Sequence, residues 1–276
     1  MVIRAGVIGH PITHSLSPAM HRRWLDRLGI DGIYEAIDCS PERLFATVRR
    51  LADTGWAGLN VTTPHKEAVL GLLTAADGDV QDVNASNLLT FGGGAISGAN
   101  SDIEGFARTL DSLLPDRWDR TKNEPIRTVV LGAGGVVRPI AHLLSPGVVL
   151  TNRTQARADA LARDGYGDVV VPWARRHEAL EGADLLVNAT TLGTSGHPPL
   201  ELDLGALPRD AAVIDVVYNP LETPLLRAAR QRGHRCANGL AMLVHQAIPS
   251  FEAFYGVRPD DPEETIGFLA DLLRRS

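Results

Sequence analysis

The chain has 276 residues, 44% of them apolar, enough to bury one large core or two modest ones and too many for a disordered chain. No apolar run approaches the roughly 18 residues needed to cross a bilayer, and "MVIRAGVIGHPI" has neither the apolar length nor the cleavage site of a secretory leader. A net charge of −6 argues against nucleic acid as the main partner, and two isolated cysteines, Cys39 and Cys236, point to a reduced, cytoplasmic protein.

Strand-like and helix-like segments alternate from the start. "VIRAGVIG" reads as a buried strand and residues 18–28 as an amphipathic helix. Between them, in "GHPITHSLSPAMH", Ser15 and Ser17 lie just ahead of the helix start, where hydroxyl donors form a carboxylate cradle; for Ser17 alone, simple capping is the competing reading. His10, His14 and His21 have no acid or cysteine to complete a ligand set, so no metal site is expected. "GIYEAIDC" reads as a second strand, residues 41–51 as a second helix, and a short strand precedes Asn60. Alternation at this spacing predicts parallel sheets with crossover helices.

"LNVTTPHKEAV" then holds a contradiction. Thr63 looks like an N-cap and Pro64 like the first helical residue, which places Lys66 in a helix's first turn. Exposed N–H groups carry about half a positive charge there and disfavour a cation. A lysine so placed should have its pKa pulled down, which suits it to moving a proton in a carbonyl/alcohol interconversion. It needs a carboxylate to place it. After a hairpin signal at Gly92-Gly93-Gly94 in "SNLLTFGGGAISGAN", Asp102 opens a helix over 103–113 and is the leading candidate. A solvated lysine and an ordinary N-cap aspartate account for these residues equally well. "PDRWDRTKNEPIR" follows as a surface loop.

At Thr128 a second βαβ series begins. "TVVLGAGGVVRPIAHLL" is a strand, a glycine turn and a helix, with Gly132, Gly134 and Gly135 where a backbone would approach a pyrophosphate. Val137 stands where the third fingerprint glycine would be, so an ordinary tight turn is the competing reading. About 20 residues on, an NAD site wants an acid for the ribose hydroxyl. Here "NRTQAR", residues 152–157, offers Arg153, Arg157 and Thr154 and no acid, which favours a 2′-phosphate and hence NADP. Thr154 also reads as the cap of the next helix. "GVVLTNRT", "ADLLVNAT" and "AAVIDVVYN" supply further strands, and helices run from Gly239 through Tyr255 and from Pro262 to Arg274.

Taken together, these motifs resemble the shikimate dehydrogenase family. "GHPITHSLSPAMH" looks like its N-terminal substrate signature, "GLNVTTPHK" its lysine signature and "GANSDIEGF" its aspartate signature. "GAGGVVR", "NRTQAR", "VNATTLG", "DVVYNPLETPLL" and "NGLAMLVHQA" continue the match in order, from about residue 6 to 260. The resemblance implies a two-domain α/β fold with a deep cleft. An N-terminal α/β substrate-binding and catalytic domain would span 1–104 and be completed by helices in 240–276. A Rossmann-like NADP-binding domain would span 105–239. It implies NADPH-dependent reduction of 3-dehydroshikimate to shikimate, in a monomer or homodimer.

Lys66 would be the catalytic acid/base, with Asp102 on the same substrate hydroxyl. Ser15, Ser17, Thr62, Asn87, Tyr218 and Gln246 would bind the carboxylate and ring hydroxyls. Gly132, Ala133, Gly134, Gly135 and Val136 would take the pyrophosphate, Asn152, Arg153, Thr154 and Arg157 the adenosine phosphate, and Val216 and Gly239 the nicotinamide end. Leu88, Ser101, Thr191 and Thr194 depart from the family pattern, which leaves a quinate- or aminoshikimate-preferring paralogue open. A cofactor-binding protein without turnover is the reading from a different class, and the Lys66–Asp102 pair speaks against it.

Overall fold

The computed structural model describes residues 2–115 and 125–275. Most of the surface loop expected at 115–127 therefore lies outside the described residues. The chain divides into two compact units, Met1–Ile103 with Val244–Leu269, and Glu104–Leu243 with Ala270–Ser276.

The first unit contains β1 (Ile3–Gly9), α1 (Ser17–Leu28), β2 (Gly32–Asp38), α2 (Leu44–Asp53), β3 (Gly58–Val61), β4 (Ala75–Ala76), α3 (Gly78–Val83), β5 (Leu88–Gly92) and β6 (Ala95–Ala99). Its sheet has the order β2-β1-β3-β5-β6-β4. β1 pairs parallel with both β2 and β3, while β5 pairs antiparallel with β3 and with β6. The sheet is thus mixed, because the hairpin at residues 88–99 reverses the chain without a crossover helix. The helix expected over 41–51 opens as a 3₁₀ turn at Pro41–Arg43 before α2 takes over.

One core of this unit joins Ile8, Leu59 and Leu89 of the sheet to Leu44, Val48 and Leu51 of α2. The second group is aromatic. Trp24 meets Phe251 edge-on at 5.4 Å between ring centroids, and His21 stacks on Tyr34 at 3.7 Å. The Trp24 indole N–H donates to Thr265 Oγ1 at 2.9 Å, and Arg27 pairs with Asp260, Asp261 and Glu264.

The second unit begins with α4 (Asp102–Leu113), whose first two residues still belong to the first unit. It continues through β7 (Thr128–Leu131), α5 (Val137–Leu144), β8 (Val148–Thr151), α6 (Gln155–Arg163), β9 (Val169–Val170), β10 (Leu185–Asn188), β11 (Ala212–Asp215), α7 (Pro224–Gln231) and β12 (Arg235–Asn238). Two more helices end the described chain, α8 (Gly239–Tyr255) and α9 (Pro262–Arg275). The six strands pair in the order β12-β11-β10-β7-β8-β9, and all are parallel.

A parallel sheet must be covered on both faces, and side-chain alternation does this here. Val130, Leu150, Leu185, Val187 and Ile214 enter one core, while Val129, Leu131, Val149, Leu186 and Val213 enter the other. Strand order reverses between β7 and β10, so the carboxyl ends of those strands flank a topological switch point. β4, α3, β9, α7 and β12 lack a clear pattern in the sequence; β4 and β9 have only two residues each, too few for periodicity.

Candidate active site

No α-helix starts at Pro64. Residues 64–67 form turns that lead into a 3₁₀ helix at Ala68–Leu72, and Thr63 makes no cap. The dipole argument for Lys66 is therefore overturned. A 3₁₀ stretch this short aligns few peptide dipoles, and Lys66 lies ahead of it. Other contacts hold the lysine's backbone. The His65 N–H donates to the Thr62 carbonyl at 2.9 Å, and the buried His65 ring donates from Nε2 to the Cys39 carbonyl at 2.7 Å. The Ser86 N–H donates to the Lys66 carbonyl at 2.8 Å.

That clamp presents Lys66 Nζ to Asp102 Oδ2 at 2.5 Å, with the two side chains 16% and 7% exposed. Little water screens the pair, so the ionic interaction is strong and its geometry restricted. Asp102 opens α4 next to β6, and its backbone N–H donates to Asn100 Oδ1 at 3.1 Å. Asn87 fixes the carboxylate's other oxygen, donating from Nδ2 to Asp102 Oδ1 at 2.9 Å. The same amide group lies 3.0 Å from Ser101 Oγ and 3.3 Å from Gln246 Oε1, and Asn87 Oδ1 accepts from the Ser101 N–H at 2.8 Å. Lys66, Asn87, Asp102 and Gln246 thus form one hydrogen-bonded group in the first unit.

Behind this group Asn60, 7% exposed, donates to the Asn87 carbonyl and to Ser250 Oγ and accepts from the Tyr34 hydroxyl at 2.8 Å. The sequence reading passed over Asn60 and His65. The usable signal for Asn60 is one polar residue inside the apolar strand "GLNV". Ser15 and Ser17 lie at the start of α1, where Leu16 takes the N-cap position and the Ser17 N–H donates to Ser15 Oγ at 3.3 Å. The capping reading for Ser17 fails, since its side chain makes no cap bond. Thr62 follows β3 and lies against Gly9.

In the second unit the glycine turn joins β7 to α5. Gly132 has φ +124°, and a Cβ there would stand 2.7 Å from the Ala189 carbonyl oxygen, so only glycine fits. Cβ positions built at Gly134 and Gly135 meet nothing within 4 Å, which leaves free space before the first turn of α5. Val137, standing in for the third glycine, is fully buried and packs in the core. Thr154 takes the N-cap position of α6 without a side-chain bond, and Asn152 Nδ2 donates to the Thr154 carbonyl at 2.9 Å. Arg153 and Arg157 are exposed, and neither forms an ion pair among the described residues. Open backbone at a helix start with two uncommitted guanidiniums nearby is a donor set that fits a phosphorylated dinucleotide. Val216 follows β11; Gly239 opens α8 against it, where any Cβ would collide with the Val216 carbonyl. Tyr218 lies in the same connection, and burial pushes its phenol above the ordinary range.

Other regions carry less chemistry. A cavity of about 740 Å³ at the opposite end of the first sheet, beside Arg4, Arg49, Trp56 and Phe91, contains none of these residues. Among the described residues, no three His, Cys, Asp or Glu side chains group to hold a metal, and no helix is long and apolar enough to cross a membrane.

A family profile described as the shikimate dehydrogenase substrate binding domain matches residues 7–89. The chain is 48% identical over 261 residues to the NADP(+) shikimate dehydrogenase of Methylocella silvestris, covering 93% of this chain and 91% of that one. The chain belongs to the shikimate dehydrogenase family. A further shikimate dehydrogenase (NADP(+)), from Rhodopseudomonas palustris strain BisB5, is 47% identical over 98% of this chain and 96% of its own length. Among solved members of the family, the Thermus thermophilus enzyme in complex with NADP(H) and shikimate superposes with a TM-score of 0.84 at 35% identity, covering 99% of both chains. A quinate dehydrogenase from Corynebacterium glutamicum in complex with NAD has a TM-score of 0.86 at 32% identity, over 98% of this chain and 99% of that one.

Proposed function

We infer that this shikimate dehydrogenase family member is an NADP-dependent oxidoreductase that reversibly reduces 3-dehydroshikimate to shikimate on the aromatic amino-acid route. Residues 1–104 with 240–276 serve as the substrate-binding and catalytic domain and 105–239 as the NADP-binding domain, in a cytoplasmic monomer or homodimer. The observation that carries the reading is the 2.5 Å approach of Lys66 to Asp102, with Asn87 on the second carboxylate oxygen.

NADPH, when bound, supplies the hydride to the ketone carbon. Lys66 gives its Nζ proton to the oxygen that becomes the hydroxyl, and takes it back in the oxidative direction. Asp102 Oδ2 accepts from that ammonium and holds it on one line, while Asn87 keeps the carboxylate from rotating. Ser15 and Ser17 hold the substrate carboxylate, and Thr62, Tyr218 and Gln246 complete the hydroxyl and carboxylate contacts. Gly132 to Val136 take the pyrophosphate, Asn152 to Arg157 the 2′-phosphate, and Val216 with Gly239 the nicotinamide side. Arg153 and Arg157 support NADP over NAD because a fork of N–H donors matches a phosphate dianion and has no counterpart on a bare ribose.

Absorbance at 340 nm tests this with purified protein, shikimate and NADP, with quinate and NAD in parallel. Rapid reduction with shikimate and NADP is expected. Comparable rates with quinate or NAD would shift the reading to the quinate-type relatives, and no reduction in any combination would end it.

A further inference from the structure

The connection that carries Val216 and Tyr218 ends in a group of polar residues with no ligand role so far, and all of them are buried. Asp215, at the carboxyl end of β11, is 0% exposed. Its Oδ2 accepts from Thr223 Oγ1 at 2.6 Å, and its Oδ1 accepts from Asn188 Nδ2 at 2.9 Å and from the Val217 N–H at 3.1 Å. Each donor belongs to a different piece of chain. Asn188 ends β10 and also ties down the next turn, through Leu192 and Thr190. Val217 is in the β11–α7 connection itself. Thr223 caps α7, its Oγ1 accepting from the Leu226 N–H at 3.3 Å. Val216 is bonded on the same ladder, its N–H donating to the Asn188 carbonyl at 2.9 Å, and Gly239 donates to the Val217 carbonyl at 3.2 Å.

We propose that Asp215 is a positioning residue for cofactor binding: its carboxylate gathers the ends of β10 and β11 and the start of α7, and so sets where Val216 and Gly239 stand at the nicotinamide side. The proposal rests on the reading that these two residues line that side. Burying a carboxylate is costly even when it is hydrogen-bonded, and a hydrophobic residue would pack this spot at less expense. What an apolar side chain cannot do is accept from three segments at once. Burial pushes the Asp215 carboxyl up, against the hydrogen bonds from Thr223, Val217 and Asn188 that pull it down. The hub lies at the carboxyl edge of a parallel sheet, where open α/β sheets bind ligands.

Asp215→Asn keeps the volume but turns an amide N–H toward the Thr223 hydroxyl. We expect the NADP Kd, measured by titration calorimetry without substrate, to rise about tenfold, and kcat to fall at least about tenfold as the nicotinamide is misplaced. The KM for shikimate should rise less than the NADP Kd, because of the proposed substrate contacts only Tyr218 lies in this connection. Thr223→Val should reproduce that split and Thr223→Ser should rescue it, so the pair stands in if Asp215→Asn does not fold. A purely structural role predicts a lower Tm with Kd, kcat and both KM values unchanged below the transition, and that result overturns the proposal. Val216→Trp separates the two ideas: if it abolishes NADP binding while Asp215→Asn and Thr223→Val leave binding intact, the nicotinamide reading survives and the positioning role falls. If Val216→Trp leaves NADP binding intact, both fall.

Discussion

Lys66 and Asp102 face each other at 2.5 Å with little exposure, an arrangement that restrains the proton without isolating it from solvent. Lys66→Ala should lower kcat by about 10²–10⁴, the usual worth of a positioned acid/base, and cost about 3–5 kcal/mol of stability because it leaves the buried Asp102 carboxylate without its cation. Near-normal turnover in that variant would remove Lys66 from the reaction. His21 makes a different prediction. Its ring is 0% exposed, neither nitrogen has a hydrogen-bond partner among the described residues, and burial lowers its pKa to about 3 from 6.5. The unfolded chain takes up this proton below pH 6.5 and the folded one does not until about pH 3. His21 therefore costs no proton-linked stability above pH 6.5, and stability falls as the pH drops from there toward 3, by on the order of 5 kcal/mol in all. His21→Phe, which keeps the stack on Tyr34, should flatten the denaturant midpoint between pH 6.5 and 4; an unchanged slope would exclude this histidine as the cause.

At the scale of elements, the segment after β3 is the instructive one. Its residues carry helix-start chemistry, yet the chain makes turns and a short 3₁₀ helix. Long-range bonds outweigh the local signal: His65 reaches the end of β2 and Ser86 reaches back to the Lys66 carbonyl. The lysine's placement comes from that clamp. His65→Ala removes a buried ring and its bond to Cys39, so we expect destabilisation of about 2–4 kcal/mol. We also expect kcat, assayed well below the new Tm, to fall by about tenfold or more as Lys66 loses its register. A lower Tm with unchanged kcat would mean that Ser86 alone holds the turn. α1, α2, the hairpin and the β7–α5 unit were all legible because each has length, periodicity or a glycine turn to announce it. α7 was not, although Thr223 and Pro224 form a good helix start, because only eight residues follow before the next turn.

For the whole molecule, cofactor binding and stability are linked by mass action. At a concentration of 100 times its Kd, NADP should stabilise the protein by about 2.7 kcal/mol and raise the apparent Tm by several degrees. NAD at the same concentration should do less, and Arg153→Ala with Arg157→Ala should erase the difference, as read by thermal melts. An equal shift from both cofactors in the unaltered protein would put the selectivity elsewhere. The division into two units adds its own expectation, since a chain with two cores need not melt in one step.

The sequence by itself determined the family, the α/β class, the order of the principal elements and the glycine turn, because these rest on local patterns and on motifs that keep their meaning when read one at a time. Only the tertiary structure decided that Lys66 meets Asp102, 36 residues away, and that Asn87 rather than a helix end orients the pair. It also decided that Asn60, His65 and Asp215 are buried and hydrogen-bonded to other segments of the chain. Each is one polar side chain whose role depends on partners from other strands and helices. Sequence spacing does not encode which segments pack together; the folded backbone does, and it brings donor and acceptor within reach once both have left water.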